Sequence, residues 1–155
     1  MMLFIISLNM EDVVNYYKNL ESFYSQMRIL FYKSQKSKLH YIVSGTYYET
    51  KDYTSYTGYL NNGSKFLIEY KNDSTYLYLN DNLKSVQFQE YPAISPYKMF
   101  VYLYIHNFEY TIREKDNIFE IVFYTQGKPF IFTINSQYKI LRYNPPFNLI
   151  IEFNN

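Results

Sequence analysis

The chain has no cysteine, no tryptophan and almost no net charge. Without cysteine there is no disulfide, no thiolate nucleophile and no sulfur-ligated metal site. Lys and Arg number 15 against 14 Asp and Glu, so the net charge is only +1. The basic footprint that nucleic acid requires is therefore missing. No acidic or basic block stands out either, and the weak field does not steer a partner from a distance. No apolar run is long enough to span a bilayer. Histidine is scarce: His40 and His106 have no second His, Cys or carboxylate at ligand spacing, and both read as structural. Gly-x-Ser-x-Gly, the P-loop and the dinucleotide fingerprint are absent. Glu109, Glu114, Glu120 and Glu152 fall within strand-like segments and read as a solvated outer face, not as an acid–base pair. The expectation is a non-enzymatic protein with no cofactor and no nucleic-acid partner.

Hydrophobic residues make up 48% of the 155 residues, enough for a single domain, 1–155, with a real core. Tyr (21) and Phe (13) supply the aromatic content, and both suit pleated, half-buried surfaces. Residues Met1 to Leu8 are apolar but short and lack a basic start. They are expected to be either the remnant of a signal peptide or an N-terminal extension.

The spacing of Val13, Tyr17, Leu20, Phe23 or Tyr24, Met27, and Leu30 or Phe31 predicts an amphipathic helix of roughly 25 residues. Asn9 is its N-cap, Glu11 and Asp12 suit its positive end, and Lys33, Lys36 and Lys38 suit the far end. The period then changes to two. Strands are expected over 39–50, 53–60, 65–70, 75–79 and 83–91, with turns at Asn61–Ser64, Lys71–Ser74 and Asn80–Asn82. Ser95-Pro96 reads as an N-cap followed by Pro at the first helical position, opening a short apolar helix over 97–105. Strands at 108–114, 118–124, 130–135, 138–143 and 149–153 follow, separated by turns such as Asp116-Asn117 and Gln126-Gly127. The fold expected is α+β, mainly β: a single strongly curved antiparallel sheet of about nine or ten strands, an incomplete barrel. A long N-terminal helix and a short central helix cover it.

This order of elements resembles the LolA family of periplasmic lipoprotein carriers. Gly58-Tyr59-Leu60 leads across a loop to the aromatic strand Lys65-Phe66-Leu67-Ile68-Glu69-Tyr70. A second turn and strand, Asp73 to Asp81, and the Ser95-Pro96 helix start match the family's next features. The similarity covers roughly residues 10 to 155. Family members carry an arginine before the aromatic strand that helps hold the lid closed; Asn61 to Lys65 contains none.

The resemblance implies export to the periplasm and a monomeric carrier. It implies a cargo of lipoprotein acyl chains or another lipid, an inner-membrane transporter that supplies it and an outer-membrane acceptor that receives it. It also implies an apolar cavity on the concave face. Alternation selects the candidate lining: Phe66, Ile68 and Tyr70; Val86 and Phe88; Phe108, Tyr110 and Ile112; Phe119, Ile121 and Phe123; Phe130, Phe132 and Ile134. Met27, Leu30, Met99, Phe100 and Leu103 are the candidate lid. The stripes alone favour a packed core, and only the resemblance points to a cavity. The competing expectation is a protein-binding sensor or structural domain on the same fold, with a filled core and no lipid.

Overall fold

A computed structural model describes residues 8–33, 38–89 and 91–154. The apolar start at 1–7 and Lys36 lie outside the described residues. Helix α1 spans Met10–Lys18. The Asn9 side chain accepts a hydrogen bond from the Asp12 amide at 3.2 Å, and Met10, Val13, Val14 and Tyr17 form its buried face. The helix ends at Asn19 and is only nine residues long.

The second half of the expected helix is a strand, β1 (Ser22–Lys33). Phe23, Ser25, Met27, Ile29 and Phe31 alternate inward along it, and Ser25, Met27 and Ile29 are buried. Two features hide this alternation. Ser25 is a polar residue on the inner side, and Tyr24 and Leu30 add apolar residues on the outer side, which together mimic spacings of three and four. Tertiary pairing decides the outcome: β1 has a neighbour on each side, β2 and β11, and its aromatic content suits a pleat.

The remaining elements follow as β2 (Lys38–Thr50), β3 (Tyr53–Leu60), β4 (Lys65–Lys71), β5 (Ser74–Leu79) and β6 (Asn82–Phe88). Helix α2 (Pro96–Ile105) comes next, then β7 (Tyr110–Lys115), β8 (Ile118–Phe123), β9 (Phe130–Asn135), β10 (Ile140–Asn144) and β11 (Leu149–Asn154). Asn72-Asp73, Asn80-Asp81 and Asp116-Asn117 all have positive φ, the conformation that two-residue hairpin turns demand.

The described strands form one unclosed antiparallel sheet of eleven, in the order β6-β5-β4-β3-β2-β1-β11-β10-β9-β8-β7. Two meanders therefore meet at the β1–β11 pair, and β6 and β7 are the free edges. The sheet is curved. Tyr56 on β3 donates to the Ile94 carbonyl at 2.8 Å, and Tyr143 on β10 donates to the neighbouring Ala93 carbonyl at 2.6 Å. In a flat sheet these strands, four places apart, would stand about 19 Å from one another. Only a bent sheet brings both tyrosines to consecutive carbonyls.

The concave side holds the core. Phe100 of α2 meets the rings of Phe123 and Phe132 at 5.2 and 5.0 Å, and Tyr17 of α1 lies against Tyr97 and Phe100 at 4.8 and 5.1 Å. The chain leaves edge β6, crosses the bowl through Ala93–Ser95 and α2, and arrives at the opposite edge β7. Much of the bowl is thus filled by the protein itself.

Candidate functional site

At one end of α2 the filling stops and an apolar groove of about 380 Å³ remains. Met99, Tyr102 and Leu103 of α2 form one wall, and Phe108, just beyond the helix, continues it. Phe130 at the start of β9 forms the floor, with Pro146 and Phe147 of the β10–β11 connection opposite. Tyr91 and the β8–β9 loop residues Thr125, Gly127 and Lys128 complete the rim. The loop is held by its own hydroxyl. Thr125 Oγ1 donates to the Lys128 carbonyl at 3.0 Å and accepts from the Gly127 amide at 3.4 Å. Phe130 and Phe147 meet edge to face at 6.4 Å, so the floor and the far wall support each other.

Helix α2 is also tied down on its other flank, by a polar cluster. Ser95 occupies the N-cap position and Pro96 opens the helix, as the sequence suggests, but the Ser95 hydroxyl does not cap. It donates instead to Thr54 Oγ1 at 2.6 Å, and Thr54 in turn donates to Glu49 Oε1 at 3.5 Å. Lys98 on α2 donates to Thr54 Oγ1 at 3.0 Å and to the Tyr53 carbonyl at 3.3 Å, with its Nζ 3.7 Å from Glu49 Oε1. Burial drives the Glu49 carboxyl up from its ordinary 4.5 to about 7, against the opposing pull of the Lys98 charge. The same burial pushes the Lys98 ammonium below its usual range. A smaller cavity of about 180 Å³ adjoins this cluster. The buried Tyr17 hydroxyl, which makes no hydrogen bond among the described residues, belongs to a residue of its lining.

Four of the candidate residues line the groove: Phe108 and Phe130 from the lining selected by alternation, and Met99 and Leu103 from the candidate lid. Phe66, Ile68 and Tyr70 on β4, Phe119, Ile121 and Phe123 on β8, and Phe132 and Ile134 on β9 are buried in the core. Phe100 joins them from α2. Tyr110 and Ile112 pair with Phe123 and Ile121 and so face the concave side, but on edge β7 they stay 40% and 36% exposed. Glu114 pairs with buried Phe119 and shares that side, not the outer face expected of it.

Two placements correct the sequence expectation. Val86 and Phe88 lie on the outer face, because their register partners Tyr76 and Ser74 are out of phase with the inward Thr75 and Leu77. All of β6 is exposed, so no burial fixes its phase in the sequence. Met27 and Leu30 are not lid residues but belong to β1: Met27 is buried on the concave side, and Leu30 pairs with Ile150 on the other face.

Glu49 was legible in principle, since it continues the alternation of Val43, Gly45 and Tyr47 on β2. The neighbouring Thr50-Lys51-Asp52 turn makes it look like part of a polar break. Lys128 sits in a loop, where no period operates. Among the described residues no cluster of His, Cys, Asp or Glu is placed to hold a metal, and no helix is long and apolar enough to cross a membrane. No protein-family model and no curated protein sequence matches this chain.

Proposed function

We propose that this protein is a non-enzymatic carrier that shelters an acyl chain, of a lipoprotein or of another lipid, in the groove beside α2. The observation that carries the proposal is the groove itself: an opening of about 380 Å³ walled by Met99, Leu103, Phe108, Phe130 and Phe147. That volume falls within the span of small-molecule sites, and apolar walls of this kind hold their guest through burial of methylenes. The resemblance to LolA carriers supports the same reading, through the Gly58-Tyr59-Leu60 stretch, the aromatic strand β4 and the Ser95-Pro96 helix start. In the proposed role the protein works in the periplasm, between an inner-membrane transporter and an outer-membrane acceptor, a setting drawn from that resemblance. The Glu49–Thr54–Lys98 cluster takes the part that the missing loop arginine has in those carriers, tying α2 to the sheet.

Native mass spectrometry of protein from a lipid-rich host tests the proposal, together with uptake of the uncharged, polarity-sensitive dye N-phenyl-1-naphthylamine. Co-purified lipid and saturable dye fluorescence are expected. Phe147→Asp, at a 37%-exposed position, removes the ring that packs on Phe130; it should lower the thermal midpoint slightly and weaken dye uptake about ten-fold, a shift of ~1.4 kcal/mol. Absence of both lipid and dye uptake overturns the carrier.

One observation favours a protein-binding domain instead. Edge strand β6 exposes Leu83, Val86 and Phe88 beside an unpaired backbone, the kind of surface to which a partner strand adds. Pull-down separates the two, since a carrier retains lipid and an edge-binding domain retains a partner protein without it.

A further inference from the structure

Resting on the carrier reading, the ligand itself can be narrowed. Among the described residues the groove lining carries one formal charge. Lys128 stands at its rim, and no described carboxylate lines the walls. Four other cations are committed: Arg28 to Glu152 at 2.9 Å, Lys65 to Asp81 at 2.9 Å, Lys71 to Glu69 at 3.0 Å and Lys98 to Glu49 at 3.7 Å. Lys128 is exposed and makes no ion pair among the described residues. Its loop is anchored from behind by the Thr125 hydroxyl, which binds the Lys128 carbonyl and leaves the ammonium free to turn toward the mouth. Inward from that charge every wall is apolar or aromatic, from Phe147 and Phe130 to Met99 and Leu103.

Size adds a second constraint. A space of about 380 Å³ lies near the lower end of the ~300–1,000 Å³ range of small-molecule sites. That is room for one chain, not two or three. We propose that the groove binds a single-chain amphiphile with an anionic head, a long-chain carboxylate. The chain lies along Met99, Leu103 and Phe130, and the head pairs with Lys128 at the rim. Burial of the chain supplies the affinity, and the Lys128 charge sets which end stays outside.

The test is displacement of N-phenyl-1-naphthylamine from the full chain by palmitate and by methyl palmitate. The two share one chain and differ in charge. Palmitate is expected to compete about five-fold more strongly, in line with a solvent-exposed ion pair. The preference should shrink in 0.5 M salt, where a rim charge is screened. Lys128→Ala should weaken palmitate to the level of the ester and leave the ester unchanged, with an unaltered thermal midpoint because the side chain is exposed. Equal competition by the two ligands in the wild type overturns the head-group assignment while the carrier stands. So does a preference that survives Lys128→Ala or high salt. If the dye never enters the groove, the carrier reading falls first and the assignment falls with it.

Discussion

Glu49 is a carboxylate almost shut off from water, 5% exposed, and among the described residues a single cation, Lys98, is near it. The groups facing it are Lys98 and Tyr97 from α2, Tyr56 and Thr54 from β3, and Tyr47 on its own strand. Because its folded pKa, about 7, lies above its ordinary 4.5, the folded state holds a proton that the unfolded chain has already lost across that window. Stability attributable to Glu49 is therefore full below about pH 4.5 and declines as pH rises towards 7. Glu49→Gln removes the titration while preserving the side chain's shape. The difference in unfolding free energy between wild type and variant, from urea melts between pH 4.5 and 7.5, should drift by roughly 3 kcal/mol in favour of the variant. A pH-independent difference would mean that the carboxylate keeps its charge throughout. Tyrosine contributes at the same scale. Tyr47, Tyr56, Tyr97 and Tyr143 are fully buried, and two of them spend their hydroxyls on the Ile94 and Ala93 carbonyls that fix the chain leading into α2.

At the scale of the element, Gly45 faces Gly58 in the β2–β3 pair, with backbone close on both sides. A Cβ on Gly45 would run into the Thr57 carbonyl and stand 2.6 Å from Gly58 Cα; one on Gly58 would run into the Ser44 carbonyl. The obstacle is backbone on both sides, which cannot swing away. Gly58→Ala should therefore cost about 2–3 kcal/mol in urea unfolding. Gly127→Ala, whose Cβ meets open space, should be neutral or slightly stabilising. If the two variants unfold alike, the close approach is not real.

Elements of this kind were unevenly visible in the sequence. Strand β3 and the start of β4 fall where alternation and turn residues put them, because one face is buried and the Asn-Gly and Asn-Asp turns fix the register. The helix start at Ser95-Pro96 was equally plain. The junction of α1 and β1 was not. Leu20, Phe23, Met27 and Leu30 satisfy a helical period by coincidence, while the pairing of β1 with β11, from the far end of the chain, leaves no local trace. The groove was only partly legible for a related reason: it is built from α2, the start of β9 and four connecting segments, and such segments carry no period.

For the molecule as a whole, leaving the sheet open creates two edges, and they are protected unequally. Edge β7 carries Arg113, Glu114 and Lys115 within six residues, a charge density that opposes strand addition. Edge β6 carries only Lys84, while Leu83, Val86 and Phe88 are 52%, 51% and 70% exposed. The outward Tyr76 and Tyr78 of β5 extend the same surface. Substituting Phe88→Lys removes the one aromatic ring on β6, 70% exposed, without touching the core. The unfolding free energy should stay within about 0.5 kcal/mol of wild type. Light scattering at high protein concentration should show less self-association, because a charged edge resists pairing. The groove lies beside α2 and the β8–β9 loop, and none of its lining comes from β6. Dye uptake by Phe88→Lys should therefore match wild type, whereas capture of a protein partner through the edge should be lost. A variant that loses dye uptake but keeps its partner would reverse the assignment of roles, making the edge serve the lipid and the groove serve the protein.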